Sequence, residues 1–371
     1  MISRNILLLL SPVPQSRILG IARYAKEHQW TLSIGERGNP PTDWTGDGIL
    51  AMLRHEAKDR AFIDRQVKRG IPVVDLTVLC PQIALPRVIG DNLTIGRLAA
   101  DHFRERHFTH LAFFASHRSH VQKLRYQGFC DCITESCRIS SKEVPFLTHE
   151  DLSAKLPGLP KPLGLFCYSD YDASLALSHC RSLGLKVPDE VAILGVDNNK
   201  ILCENQAVPI SSVFHDHESV GYRAAELLDR LMRTEPIAEN LPILVPPRGI
   251  VTRKSTDVTA SDDPCIKSVT TYVRANMQRS FGISEIADHL GMPTHRLSRL
   301  FKAKTGHTIG HEILRLRMET ASQLLRLGQM TISEIADRTG FCNIAYFSNT
   351  FRRHFGTSPR QFVISGSQKS E

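Results

Sequence analysis

Ile283-Ser284-Glu285-Ile286-Ala287-Asp288 recurs unchanged as Ile332-Ser333-Glu334-Ile335-Ala336-Asp337, 49 residues later. Gly291 and Gly340 keep that offset. At Leu297 with Phe347, Ser298 with Ser348, Phe301 with Phe351 and Gly306 with Gly356 it becomes 50, so the second copy holds one extra residue in its turn. In each copy the two Ile and the Ala stand at i, i+3 and i+4, the spacing of one helix face. A Gly follows where the chain must turn tightly, and a second helix follows the Gly. These are the mechanics of a helix-turn-helix, over about residues 283–303 and 332–354.

The second helix of the first copy turns Leu297, Leu300 and Phe301 to a core. That leaves His295, Arg296, Ser298, Arg299 and Lys302 outward, a donor-rich set suited to base edges and phosphates in a major groove. In the second copy Phe347 and Phe351 take the core positions. Asn343, Tyr346, Ser348 and Asn349 occupy the open face, with Arg352 and Arg353 beyond. A basic helix face is also what a solvated surface looks like, and it is the duplication that turns the reading toward DNA. Between the copies, Thr308 to Leu327 reads as one long spacer helix with Ile309, Ile313, Leu316, Thr320 and Leu324 on a stripe. If the spacer holds the units parallel, two recognition helices enter successive major grooves about 34 Å apart.

Charge follows the same division. Residues 261–371 carry 15 Lys and Arg against 9 Asp and Glu, a surplus of six out of the net +8 of the 371-residue chain. The rest is nearly neutral and alternates short apolar runs with amphipathic stretches: Asn5 to Leu10, Ile71 to Asp75, Leu111 to Phe114, Leu163 to Cys167 and Val191 to Val196. That alternation predicts α/β architecture with parallel sheets wrapped by helices. Arg253 to Pro264 is polar without apolar periodicity and reads as a linker. From Ile266, Val269, Tyr272 and Val273 onward only helical spacing is found. The expected organisation is a domain over 1–255, a linker over 256–264 and an all-α domain over 265–371.

Several classes are excluded. The run Ile6 to Leu10 is too short to span a bilayer or to form a secretory core, and it breaks at Ser11-Pro12, so it reads as a buried first strand of a cytoplasmic protein without a membrane partner. Nine cysteines, an odd number spread along the chain, fit reduced thiols. Cys130, Cys132 and Cys137 lack a second ligand pair for a metal, and His311-Glu312 meets Arg315 where a zinc-binding His would be needed. His215-Asp216-His217 alternates as a strand or loop does. No phosphate loop, nucleophile elbow or dinucleotide fingerprint is found. Neither an enzyme nor a cofactor or metal is implied.

Polar residues collect after apolar runs: Asp91-Asn92 after Arg87 to Gly90, Ser169-Asp170 after Leu165 to Cys167, and Asp197-Asn198 after Ile193 to Val196. Ligands of open parallel sheets bind at such strand ends. A carboxylate accepts from adjacent hydroxyls, and Arg125 can donate to others, which suits a neutral polyol. Each residue alone is equally a helix cap or turn former.

Two resemblances sharpen these readings. Residues 264–364 resemble the DNA-binding domain of AraC-type transcription regulators, most closely in Ile332-x2-Ile335-Ala336-x3-Gly340-Phe341, Tyr346-Phe347-x3-Phe351-Arg352 and Gly356-x-Ser358-Pro359. The resemblance implies a double-stranded operator as partner, with base contacts from His295, Ser298 and Arg299 and from Ala345, Tyr346, Ser348 and Asn349. Many members carry a basic residue where this chain has Asn349, which shifts the second unit from electrostatic affinity toward adenine preference. Arg352 and Arg353 then hold phosphates.

Arg125-Tyr126-Gln127-Gly128-Phe129, Pro188 to Asn198, and Ser211-Ser212-Val213 with Gly221-Tyr222-x-Ala224-Ala225-x-Leu227-Leu228 resemble the effector domain of LacI-type repressors and periplasmic sugar-binding proteins. That implies a two-lobed, periplasmic-binding-protein-like sensor with effector contacts from Asp91, Arg125, Asp197 and Asp170 or a neighbour within two positions, and a sugar face stacked on Tyr168 or Tyr171. A sensor placed before an AraC-type reader, joined through Leu244-Val245-Pro246-Pro247-x-Gly249-Ile250-Val251-x-Arg253-x-Ser255-Thr256-Asp257, resembles the xylose-operon regulators. This implies D-xylose as effector, a homodimer, RNA polymerase as a partner and activation of sugar-use genes, with another pentose or hexose left open.

Overall fold

A strand with an unbroken run of apolar residues has to be buried on both faces. In β1 (Asn5–Leu9), Ile6 and Leu8 enter one core with Ile21, Leu50 and Leu228, while Leu7 and Leu9 enter another with Ile49, Phe62 and Ile63. This is a computed structural model, which describes residues 4–10, 14–35, 40–42, 44–54, 56–137, 143–235, 242–258, 260, 263–327 and 330–362, apart from the side chains of 136–137 and 326–327.

After β1 come α1 (Gln15–Glu27), β2 (Thr31–Ile34), β3 (Gly48–Ala51), α2 (Ala57–Lys68), β4 (Val73–Asp75), β5 (Val88–Gly90), α3 (Asn92–Glu105), β6 (His110–Phe114) and α4 (His120–Cys137). They continue with β7 (Phe146–Leu147), α5 (His149–Lys155), β8 (Leu163–Cys167), α6 (Asp170–Ser182), β9 (Val191–Val196), α7 (Lys200–Glu204), β10 (Ser211–Val213), α8 (His217–Met232), β11 (Ile243–Val245) and β12 (Ile250–Val251). From there only helices follow: α9 (Pro264–Ala275), α10 (Ile283–His289), α11 (Thr294–Thr305), α12 (Ile309–Leu327), α13 (Ile332–Arg338) and α14 (Ile344–Phe355), after a 3-10 turn at Lys254–Thr256.

The chain divides into two units, residues 1–97, 117–132 and 215–247, and residues 98–116, 133–214 and 248–371. The first carries the parallel order β2-β1-β3-β4, with Ile6 beside Gly48 and Leu7 beside Ile49, and the parallel pair β11-β5. A bridge between Asp75 and Arg87 joins β4 to the strand entering β5. The second carries β12-β10-β9-β8-β6-β7, parallel except that β12 runs antiparallel to β10. The α/β architecture with parallel sheets and a helical C-terminal region is therefore as the alternation predicts. None of the eight described cysteines is in a disulfide bond, while the side chain of Cys137 lies outside the described residues.

Two differences from expectation stand out. The polar stretch that reads as a linker begins inside the fold, since Arg253, Ser255 and Thr256 are buried. Their polar atoms are satisfied there: Ser255 Oγ donates to the Ile193 carbonyl at 2.5 Å, and Ser211 N donates to Ser255 Oγ at 2.8 Å. Burial of polar groups costs little once each is hydrogen-bonded, so composition alone mistakes them for surface.

The spacer helix α12 also does more than the single stripe predicts. Ile309, Ile313 and Leu316 complete the core of the first helix-turn-helix with Ile266, Val269, Ile286, Leu297 and Phe301. The second core instead takes Met318, Ala321 and Leu325, with Ile335, Ala336, Phe347 and Phe351. Two residues advance a helix by about 200°, so the step from Leu316 to Met318 hands the core to the opposite side. Thr320 and Leu324 are left half-buried, and the Thr320 hydroxyl bonds back to the Leu316 carbonyl at 3.0 Å.

Candidate nucleic-acid interface and ligand-facing loops

In both helix-turn-helix units the turn glycine is left-handed, Gly291 at φ +62 and Gly340 at φ +73, and so is the glycine that ends the second helix, Gly306 at +78 and Gly356 at +71. α10 and α13 start 49 residues apart and α11 and α14 start 50 apart, so the extra residue sits in the turn between the second pair. Leu297 and Phe301, and Phe347 and Phe351, are fully buried.

With those side chains inward, His295, Arg296, Arg299 and Lys302 are exposed on α11 and Ser298 is half-buried on the same side. α14 exposes Ala345, Tyr346, Asn349, Arg352 and Arg353, with Ser348 half-buried. The structure thus gathers each set on one outward helix face, and Tyr346 is 60% exposed despite its ring. Asn343 is committed in a different way: its side-chain oxygen caps α14, accepting from Ala345 N at 2.7 Å and Tyr346 N at 3.2 Å. Only its amide nitrogen is left for a base or phosphate.

Sequence reading missed the residue that ties the two units together. Arg317 of α12 donates to the Gly340 carbonyl at 3.0 Å and to the Arg279 carbonyl at 2.8 Å, with its guanidinium over the Phe281 and Phe341 rings at 5.1 and 5.8 Å. Burial lowers its pKa from the usual guanidinium value. No local motif marks such a residue.

In the first unit, Asp91 follows β5 and caps α3: its carboxylate accepts from Thr94 N at 3.0 Å and Thr94 Oγ1 at 2.7 Å. Arg125 of α4 is buried and donates through Nε to Asn92 Oδ1 at 3.0 Å, while Asn92 Nδ2 donates to the Gly90 carbonyl at 3.0 Å. Asn92 therefore holds Arg125 to the end of β5.

In the second unit, Asp170 is 1% exposed, and both of its oxygens are taken by the protein. Ser212 Oγ donates to Oδ1 and Asn199 N to Oδ2, each at 2.6 Å. Burial, and then the nearby Asp197 charge, push its carboxyl up to about 7. Asp170 thus ties down the loop after β9, and the exposed aromatic beside it is Tyr171. That loop is strained: Asp197 at φ +106 and Asn198 at φ +52 are left-handed without being glycine. Such strain persists only where surroundings over-determine it, and it gathers at ligand sites. Here Asp197 N donates to the Val213 carbonyl at 3.0 Å, Asn198 N to Ser212 Oγ at 2.9 Å, and Arg253 Nη2 to Asn198 Oδ1 at 2.8 Å.

His107, His307 and Glu312 place ligand-type atoms within 4.8 Å of one another. Arg315, however, donates to both Glu312 oxygens, at 2.5 and 3.0 Å. Burial opposes the Glu312 charge, yet hydrogen bonds from His307 and Arg315 hold its carboxyl well below the usual range. The carboxylate is spent on ion pairing.

Residues 100–256 match the periplasmic binding protein-like domain family, and residues 286–363 match a helix-turn-helix domain family. The xylose operon regulatory protein of Escherichia coli strain K12 is 25% identical over 375 residues, covering 92% of each chain. That of Haemophilus influenzae is 25% identical over 292 residues, 76% of this chain and 75% of the relative. The solved xylose-binding transcription activator xylR superposes over 99% of both chains with a TM-score of 0.60 at 23% identity. The chain thus joins a periplasmic-binding-like domain to a helix-turn-helix domain, and it is similar along its length to the xylose operon regulators. Part of the chain also shares its fold with the transcriptional regulator CelR, solved as a complex with cellobiose, at TM-score 0.55 and 19% identity over 68% of this chain and 85% of that one. The outward faces of α11 and α14 both lie within the residues that match the helix-turn-helix domain family.

Proposed function

We propose that the chain is a cytoplasmic, D-xylose-responsive activator of sugar-use genes, with residues 1–255 as sensor and 265–371 as operator reader. The observation that carries this reading is the order of the parts: sensor first and tandem reader second, matched along 92% of the xylose operon regulatory protein of Escherichia coli. His295, Arg296, Ser298, Arg299 and Lys302 meet the first half of an operator, and Asn343, Ala345, Tyr346, Ser348, Asn349, Arg352 and Arg353 the second. Asp91, Arg125 and Asp197 face the sugar, and Asp170 holds the Asp197 loop in place. A homodimer doubles the reader and RNA polymerase is the partner at the promoter. Among the described residues no helix is long and apolar enough to cross a membrane, and regulator relatives support a role without turnover.

Ligand drives such a switch only through its different affinities for two states. The test is operator binding at fixed salt with and without D-xylose, using a sequence selected from a random pool. A changed affinity is expected, and an identical one sinks the switch. In parallel, a sugar panel read by thermal unfolding should single out D-xylose, which at 100 times its Kd stabilises by about 2.7 kcal/mol.

A further inference from the structure

The second unit contains a buried ionic cluster that joins the end of α3 to α12. Arg106, just past α3, pairs with Glu319 of α12 across 213 residues of sequence. Arg315 donates to Glu319 at 3.0 Å as well as to Glu312. The four side chains, two positive and two negative, are at most 12% exposed. Such clusters contribute little net stability compared with packed apolar groups, but they are directional, and separating one pair leaves an uncompensated buried charge. α12 is therefore held at one orientation on α3 rather than sliding over it.

From Arg106 a chain of hydrogen bonds runs back to the strained loop. Arg106 Nη1 can only donate, so His102 Nδ1 accepts at 3.1 Å, and His102 Nε2 carries the proton that it gives to Thr256 Oγ1 at 2.9 Å. Burial pushes the His102 imidazole well below its usual range, in keeping with this neutral form. Thr256 Oγ1 donates to Ser211 Oγ at 2.7 Å, and Ser211 Oγ accepts from Arg253 N at 2.7 Å. Arg253 reaches Asn198 Oδ1 at 2.8 Å, beside Asp197. Arg106 Nε also holds the Thr256 carbonyl at 2.9 Å.

We propose that this network couples the Asp197-Asn198 loop to α12, with Arg106, Thr256 and Glu319 as positioning residues that make reader geometry depend on the occupant of the sensor. The inference rests on the ligand-responsive reading above. The following experiment on the full chain tests whether both ends of the path bias α12. Operator affinity is measured with and without D-xylose for the wild type, Thr256→Val, Thr256→Ser and Glu319→Gln, alongside D-xylose affinity by calorimetry. Thr256→Val keeps the shape and removes the hydroxyl link, whereas Thr256→Ser keeps the link.

The expected result is a ratio of the two operator affinities that falls by about fivefold or more in Thr256→Val and Glu319→Gln and stays within about twofold in Thr256→Ser, with D-xylose affinity retained in all three. Glu319→Gln, at the edge of the cluster, stands in where Thr256→Val does not fold. A wild type that responds to D-xylose, with folded variants that respond equally, overturns the route alone. A wild type indifferent to D-xylose overturns the functional reading, and the route with it.

Discussion

In the first helix-turn-helix unit Glu285 is an ion-pair partner, and in the second its counterpart in the repeat, Glu334, is a helix cap. Glu285 accepts from Tyr272 Oη at 2.7 Å and pairs with Arg279. Glu334 accepts from Thr331 N at 2.7 Å and Thr331 Oγ1 at 2.8 Å, and Thr331 Oγ1 accepts from Glu334 N at 3.3 Å, a complete capping box. The flanking residue decides: Gly282 has no side chain to offer, and Thr331 does. The apolar residues and the glycines, by contrast, do the same work in both copies, because shape leaves them no second option. The outer faces are as free as the glutamates, with α11 presenting His295, Arg296, Arg299 and Lys302, and α14 presenting Ala345, Tyr346 and Asn349 before its arginines.

The largest asymmetry is expected at the turn glycines. A left-handed residue with a side chain costs about 1–2 kcal/mol at either position. Around Gly291 there is open space, but a Cβ on Gly340 would lie 2.7 Å from both the Met277 carbonyl oxygen and Arg317 Nη2. Overpacking adds about 1–3 kcal/mol. Gly340→Ala should therefore lower the unfolding midpoint of the helical region, followed by thermal melting, clearly more than Gly291→Ala. Equal losses would mean that Arg317 and Met277 yield, and that the clamp between the units is soft.

This contrast also marks how far sequence carries. The hexapeptide, its spacing and the four left-handed glycines of the two helix-turn-helix units are legible because local geometry demands them, and the buried strands are legible because parallel sheets read as unbroken apolar runs. Asp91, Asp170 and Asn343 each serve as a cap or a loop tie, a role that their positions after strands or before helices allow equally with ligand contact. Thr331-x-x-Glu334 carries a recognisable capping signature that the repeat itself overshadows. Arg106 with Glu319, and Arg317 with Gly340, were not legible, since no pattern within a window of 20 residues encodes a partner 213 residues away.

The next effect in size concerns the faces. If Arg299 reads a base, Arg299→Ala weakens the operator by about 1–3 kcal/mol and relaxes sequence preference at one position. Asn349→Ala relaxes a position in the other half-site, with adenine the base expected there, and leaves the salt dependence unchanged because no charge is lost. Arg352→Ala should weaken all sequences alike and reduce the salt slope by about 1. Binding isotherms at several salt concentrations separate the three. A salt slope that drops equally for Asn349→Ala and Arg352→Ala would erase the division between base reading and phosphate holding along α14.

The smallest effect tests whether the glutamates are interchangeable. Thr331→Ala removes the cap hydroxyl and should cost about 1 kcal/mol. The mirror change, Gly282→Thr, recreates Thr-x-x-Glu in the first unit on a backbone already extended at φ −106, where a Cβ would find Ser284 Oγ at 3.7 Å and nothing nearer. Glycine is itself a tolerable cap, within a few tenths of a kcal/mol of threonine. Glu285 would in addition have to leave Arg279 and Tyr272 to close the box. Gly282→Thr should therefore leave stability nearly unchanged, while Thr331→Ala lowers it, both read from denaturant midpoints. A gain of about 1 kcal/mol from Gly282→Thr would show that the Glu285 ion pair, largely in solvent, holds the carboxylate too weakly to compete with a helix cap.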